Sequence, residues 1–238
     1  MTAPNKIFPY TVTRFDWITP KVFRIDVTPK DGKTFVFKAG QFVMLRLYNA
    51  GGTFWKQKAF TICSTPRTAY AIELGLKLYG EFTNRAAKLN VGDSVEIAGP
   101  YGVFTLPETA TNVVMLAGGI GITPFLSMMR SVAEEHRFTN ITLLYSNPTE
   151  ESIAYRKELD VLAQHNPHLN VLHFITREQA PEGLFSGRIN AKAMEQYCPV
   201  TDTTTLYYLC GPVPFMQEMT LYLMDKGVER KRIKMERF

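Results

Sequence analysis

Apolar and polar positions follow one rhythm from Tyr10 to about Phe104 and another after Thr111. In the first stretch they alternate in short runs, as half-buried antiparallel strands do, which predicts strands over residues 10–13, 22–27, 41–48, 59–62, 70–78 and 94–98. Turn chemistry separates them at Pro29-Lys30-Asp31-Gly32, Asn49-Ala50-Gly51-Gly52 and Asn90-Val91-Gly92-Asp93. One helix is expected to start near Thr83 and to carry Ala86, Ala87 and Leu89. Short, regularly spaced strands of this kind suggest a small antiparallel barrel.

In the second stretch, apolar runs at 113–117, 141–145, 169–175 and 206–210 read as strands. Helical spacing at 124–136, 152–164 and 213–226 falls between and after them. That alternation predicts a parallel sheet covered by helices. The fold class is therefore an N-terminal antiparallel β-barrel followed by a C-terminal parallel-sheet α/β domain. Pro107-Glu108-Thr109-Ala110-Thr111 is taken as the linker, with domains over 1–107 and 108–238.

Composition adds limits rather than detail. At 238 residues and 45% hydrophobic content, two modest domains can each bury a core. Neither a secretory leader nor an apolar run long enough to span a bilayer is present, so a soluble cytoplasmic protein is expected. Cys63, Cys198 and Cys210 lack CxxC spacing and are too few for a plant-type [2Fe–2S] cluster, so no metal site is assigned. The net charge of +5 favours an acidic partner. Because basic residues are dispersed apart from 229–234, nucleic-acid binding is disfavoured and that run reads as a solvated face. His136, His165, His168 and His173 show no ligand spacing, and no Gly-x-Ser-x-Gly elbow marks a serine hydrolase.

The first chemical candidate is Gly118-Gly119-Ile120-Gly121-Ile122-Thr123-Pro124, a strand running through glycines into a helix. Such a turn brings N–H groups and a positive helix end to a pyrophosphate. Thr123 is read as the N-cap and Pro124 as the first helical residue. A tight turn needs glycine without any ligand, however. The third glycine of a Rossmann fingerprint is also replaced by Pro124, and Tyr145-Ser146-Asn147 offers no ribose carboxylate.

Six segments together resemble the ferredoxin-NADP reductase superfamily. Lys58-Ala59-Phe60-Thr61-Ile62-Cys63-Ser64 is similar to its flavin signature, Ala39-Gly40-Gln41-Phe42 to its strand entry, and Gly80-Glu81-Phe82-Thr83 to its phosphate-contacting helix start. The closing strand at 92–104, the glycine turn, and Cys210-Gly211-Pro212 with terminal Glu236-Arg237-Phe238 follow in family order. The resemblance implies a flavin-binding barrel and an NAD(P)-binding α/β domain. Hydride would pass from NAD(P)H to FAD between them, and single electrons onward to a small acidic acceptor such as ferredoxin or flavodoxin. Free flavin, a haem protein or an oxygenase are the alternative acceptors, and a non-catalytic flavin subunit or a flavin-free dehydrogenase the alternative roles.

On this reading Phe60 would wall the flavin, Thr61 would donate near N5, and Lys58 with the Thr83 helix start would meet the phosphates. Lys58 stands where the family usually has Arg, and Phe60 where it often has Tyr, which leaves FMN open beside FAD. Cys210, Glu236 and Phe238 are implied to lie at the nicotinamide. Thr176-Arg177 resembles a pair that holds the NADPH 2′-phosphate, and Arg188 is a further candidate contact. Glu150 and Glu151 would oppose that phosphate, so the balance between NADPH and NADH tips only slightly to NADPH.

Overall fold

A computed structural model describes residues 7–32, 35–68 and 70–237, in two compact units that divide between Thr105 and Leu106. The first unit holds β1 (Ile7–Thr19), β2 (Val22–Pro29), β3 (Phe42–Tyr48), β4 (Phe54–Thr61), β5 (Ile72–Lys77), α1 (Gly80–Ala86) and β6 (Ser94–Tyr101). Its sheet runs β4-β3-β6-β1-β2-β5, with every pairing antiparallel. A bridge from Ile62 to Leu74 joins the two edges and closes the barrel. Alternation sets which side chains turn inward: Val43, Leu45 and Leu47 of β3, like Phe23, Ile25 and Val27 of β2, are buried.

β1 and β4 exceed their sequence patterns most. β1 continues to Thr19 because it pairs with β6 from Ile7 to Thr11 and with β2 from Tyr10 to Thr19, the latter through two register shifts. β4 begins at Phe54, where Phe54-Trp55-Lys56-Gln57-Lys58 shows no alternation to announce a strand. α1 starts at Gly80, three residues ahead of the expected Thr83.

The second unit contains β7 (Asn112–Gly118), α2 (Ile122–Glu134), β8 (Asn140–Asn147), α3 (Arg156–His165), β9 (Leu169–Ile175), β10 (Phe185–Ser186), α4 (Ala191–Tyr197), β11 (Leu206–Cys210), α5 (Val213–Asp225) and β12 (Ile233–Glu236). All six strands are parallel, in the order β10-β9-β8-β7-β11-β12. β7 is buried from Val113 to Gly118, as a strand covered on both faces must be. Met194 of α4 and Met216, Met219 and Leu223 of α5 share a core with Val114, Leu116 and Leu209. α2 and α3 pack on each other and against β7 and β9. No helix among the described residues is long and apolar enough to cross a membrane.

The basic run is not a solvated face throughout. Arg232 is buried and donates to the carbonyls of Asp202 and Thr205, while Ile233–Glu236 forms the edge strand β12. Residues 107–111, expected as linker, are bonded within the second unit: Arg137 and Ala110 donate to the Pro107 carbonyl, and Asn140 to that of Thr111. His165 ends α3, one residue past the helix expected over 152–164.

Asp202 gathers the strand beginnings on this side of the sheet. Its carboxylate accepts from the Thr205 hydroxyl at 2.6 Å, the Thr204 hydroxyl at 2.7 Å, the Thr204 N–H at 2.8 Å and the Asn112 amide at 3.2 Å. Those bonds favour the charged form and hold its pKa at about 2, against an ordinary 3.8. A depressed carboxylate stabilises the fold fully above its unfolded value, and that contribution fades as pH falls from 3.8 towards about 2. In Asp202→Ala, the urea midpoint should lie below wild type at neutral pH and fall less steeply across that acid window. Parallel acid limbs in the two proteins would refute the assignment.

Candidate functional site

In the first unit the signature segment forms the end of β4 and the chain just after it. Val43 faces Phe60 and Leu45 faces Lys58 in the β3–β4 register, so Lys58 and Phe60 share the inward face with two fully buried residues. Lys58 is nonetheless exposed and Phe60 only half-buried. The barrel is therefore open along β4, and what lines the opening is a cation followed by an aromatic ring. Thr61 is buried, and its hydroxyl bonds to no other described residue. Ile62 is a core residue bridged to Leu74, and Ser64 accepts from the Glu73 N–H at 3.2 Å.

α1 stands beside this opening. Gly80 begins it with φ of +78°, a conformation that glycine adopts without strain. Thr83 accepts from the Tyr79 N–H at 2.6 Å and donates to the Gly80 carbonyl at 3.3 Å, so its one proton is already used. Thr83 thus closes the turn, and the helix-start N–H groups are what it leaves for an anion. Phe82 is buried with its ring 5.8 Å from both Trp55 and Phe60, backing the aromatic wall.

Three residues of this region escaped the sequence reading. Trp55 lies between Phe82 and the Arg85 guanidinium, which sits 4.3 Å from its ring centre. Arg85 also donates to the Asn49 side chain at 3.1 Å and the Tyr48 carbonyl at 2.5 Å, clipping α1 to the β3–β4 hairpin. Tyr79 is 82% exposed beside Gly80. The available signal was an aromatic residue next to a glycine.

In the second unit, β7 lies between β8 and β11, so successive connections leave it in opposite directions. Ligands of open α/β sheets bind beyond the strand ends at such a point. Gly118 ends β7, Gly119 to Gly121 form a 3₁₀ turn, and α2 follows at Ile122. Thr123 is not the N-cap: it lies inside the helix, buried, donating to the Ile120 carbonyl at 3.1 Å, and Pro124 is the third helical residue. A Cβ on Gly121 would collide with the Cys210 carbonyl, 2.5 Å from its carbon, and would lie 2.8 Å from the Gly211 nitrogen. One on Gly118 would stand 2.7 Å from Pro212. These glycines let the β7 and β11 loops touch.

Cys210 and Glu236 come together, paired in the parallel register of β11 and β12. Burial, with a smaller contribution from Glu236, pushes the Cys210 thiol well up, and burial also raises Glu236. The thiol stays protonated, as suits a packing or donor group rather than a nucleophile. Phe238 lies outside the described residues.

Thr176 and Arg177 follow β9, two strands from β7, or about 10 Å at ordinary strand spacing. Thr176 donates to the Asn147 carbonyl through its N–H at 3.0 Å, and Arg177 is exposed. Glu178 accepts from the Glu150 N–H at 2.7 Å, while Glu150 itself is ion-paired with Arg156. Arg188 is exposed after β10.

Two family models match, an oxidoreductase FAD-binding domain over residues 19–106 and an oxidoreductase NAD-binding domain over residues 115–220. The chain belongs to the two-domain FAD- and NAD-binding oxidoreductases of the ferredoxin-NADP reductase type.

Family members similar to it include an NADH-cytochrome b5 reductase 1 of Mortierella alpina, 30% identical over 73% of this chain. The chain spans 59% of that protein's length. A protein of the same name from Dictyostelium discoideum is 29% identical, over 90% of this chain and 75% of its own. Among solved structures, a ferredoxin NADP+ reductase from Neisseria gonorrhoeae with bound FAD and NADP is 26% identical. It superposes with a TM-score of 0.83 over 98% of both chains. The residues suit the groups these domains bind: the open, cationic and aromatic face of β4 fits a flavin with its phosphates, and the N–H groups ahead of α2 fit a pyrophosphate.

Gly121→Ala should destabilise the α/β unit by about 2 kcal/mol or more, because backbone rather than a yielding side chain blocks the added methyl. Gly51→Ala, with open space around it, should be close to neutral. Denaturant midpoints compare the two, and equal losses would contradict the packing described.

Proposed function

We propose that this chain oxidises a reduced nicotinamide dinucleotide through FAD and delivers the electrons singly to a haem protein. The observation that carries the flavin half is the solvent-open inward face of β4, where Lys58 and Phe60 replace core residues. FAD, when bound, takes up a hydride and gives electrons out one at a time. Lys58 supplies charge to its phosphates, Phe60 and the ring of Phe82 behind it supply an apolar wall, and Thr61 keeps a hydroxyl proton to donate. In the second unit the turn before α2 orients the dinucleotide. The protonated Cys210 thiol packs without competing as a base.

For the acceptor, a haem protein is favoured over the ferredoxin or flavodoxin expected from the sequence. Two relatives are named for cytochrome b5, and a net charge of +5 suits an acidic partner of either kind. NADPH is proposed to be accepted alongside NADH, since Arg177 is exposed and the Glu150 carboxylate is paired with Arg156. Three buried cysteines that form no disulfide suit a reducing compartment, and a cytoplasmic location is part of the proposal.

The purified chain should be yellow, and anaerobic NADH or NADPH should bleach it. A colourless protein that takes up no flavin sinks the proposal. Cytochrome b5 should be reduced faster than ferredoxin; the opposite order would return the acceptor to the iron-sulfur class. Lys58→Ala should weaken FAD binding about tenfold, with Lys58→Arg restoring it. Arg177→Ala should lower kcat/KM for NADPH about tenfold while sparing NADH.

A further inference from the structure

Tyr145 of β8 is fully buried, directly paired with His173 of β9, and its ring lies 5.9 Å from that imidazole. Its hydroxyl donates to the Gly119 carbonyl at 2.9 Å. The same carbonyl accepts from the Ile122 N–H, so both of its lone pairs are used inside the protein. Burial pushes the Tyr145 phenol far above its ordinary range, which keeps it a donor at any working pH.

A trans peptide points its C=O and N–H in opposite directions. With the Gly119 carbonyl drawn inward, the Ile120 N–H is turned away from Tyr145, out of the N-terminal end of the run that becomes α2. It belongs to the first turn of that run, where N–H groups have no partner within the helix. Gly119 has φ of +55°, and a glycine there leaves the following peptide free to flip. Sequence gives the turn its freedom, and the phenol removes it.

We infer that Tyr145 is a positioning residue for the dinucleotide: by holding the Gly119 carbonyl inward, it presents the Ile120 N–H to the pyrophosphate of NADH or NADPH. The inference deepens the nucleotide half of the proposed function and rests on it. Tyr145 touches neither cofactor. It acts through the Gly119–Ile120 peptide plane, its oxygen also facing the Asn147 side chain and the Ala154 backbone, and Phe at this position would fill the same space without a hydroxyl.

Tyr145→Phe, in the flavin-loaded chain, tests it. KM for NADH should rise about fivefold, the worth of one ordinary hydrogen bond. The kcat at saturating NADH, the bound flavin and its absorbance spectrum should stay at wild-type values, and the thermal midpoint should fall by no more than the loss of one buried hydrogen bond. Ile120→Pro, which removes that N–H along with the isoleucine side chain and fixes φ in the turn, should raise KM at least as much, and adding Tyr145→Phe to it should raise KM no further. An unchanged KM in Tyr145→Phe overturns the inference, as does a loss of flavin or kcat at constant KM, which would mark a merely structural role. Additive effects in the double variant overturn it too. A wild-type chain that binds neither nucleotide overturns the functional reading itself, a result distinct from all of these.

Discussion

The α/β unit is built around the contact between the end of β7 and the end of β11. Backbone meets backbone there, with Gly121 against the Cys210 carbonyl and Gly118 against Gly211, and no side chain fits between. That contact decides where α2 can begin and therefore where its unpaired N–H groups lie. It also fixes the height at which Cys210 leaves the sheet, level with Ala117 on one side and Glu236 on the other. Packing and the proposed nucleotide contact draw on the same glycines. Parallel order makes the contact available, because only at β7 do neighbouring connections depart in opposite directions.

The barrel unit solves a different problem. A closed antiparallel barrel has no edge and no room for a flat ligand beside its strands. Here the seam is closed after β4, by Ile62 and Leu74, which leaves β4 itself uncovered on its inner face. Phe82 and Trp55 stack where a core would otherwise continue, and Arg85 ties that stack to the Tyr48 carbonyl. The opening is thus stiffened by aromatic rings and one guanidinium instead of by more sheet.

Much of this architecture was legible in the order of residues. β9 and β11 match their apolar runs end to end, and β11 does so because a strand buried on both faces needs no polar alternation. Weak amphipathicity hid the rest. α4 has only Ala193 and Met194 buried, β10 is two residues long, and β12 sits inside a basic run whose Arg232 turns inward to backbone carbonyls. Thr83 and Thr123 carry the composition of caps, yet each hydroxyl is spent on a local carbonyl one turn back. Trp55, Arg85 and Tyr145 were invisible for another reason. Their roles depend on partners far along the chain, and no local pattern announces such a pairing.

The register shift between Leu47 and Tyr48 sets how the β3–β4 hairpin can change over evolutionary time. Every pair from Lys56 to Thr61 keeps Lys58 and Phe60 on the inner face, and a slip of one residue would present Gln57, Ala59 and Thr61 there instead. The hairpin tip at 49–53 lies beyond this stretch and can gain or lose residues without disturbing it. An insertion between Lys56 and Thr61, however conservative in chemistry, would exchange the two faces of the strand and erase the proposed flavin face while leaving a barrel behind.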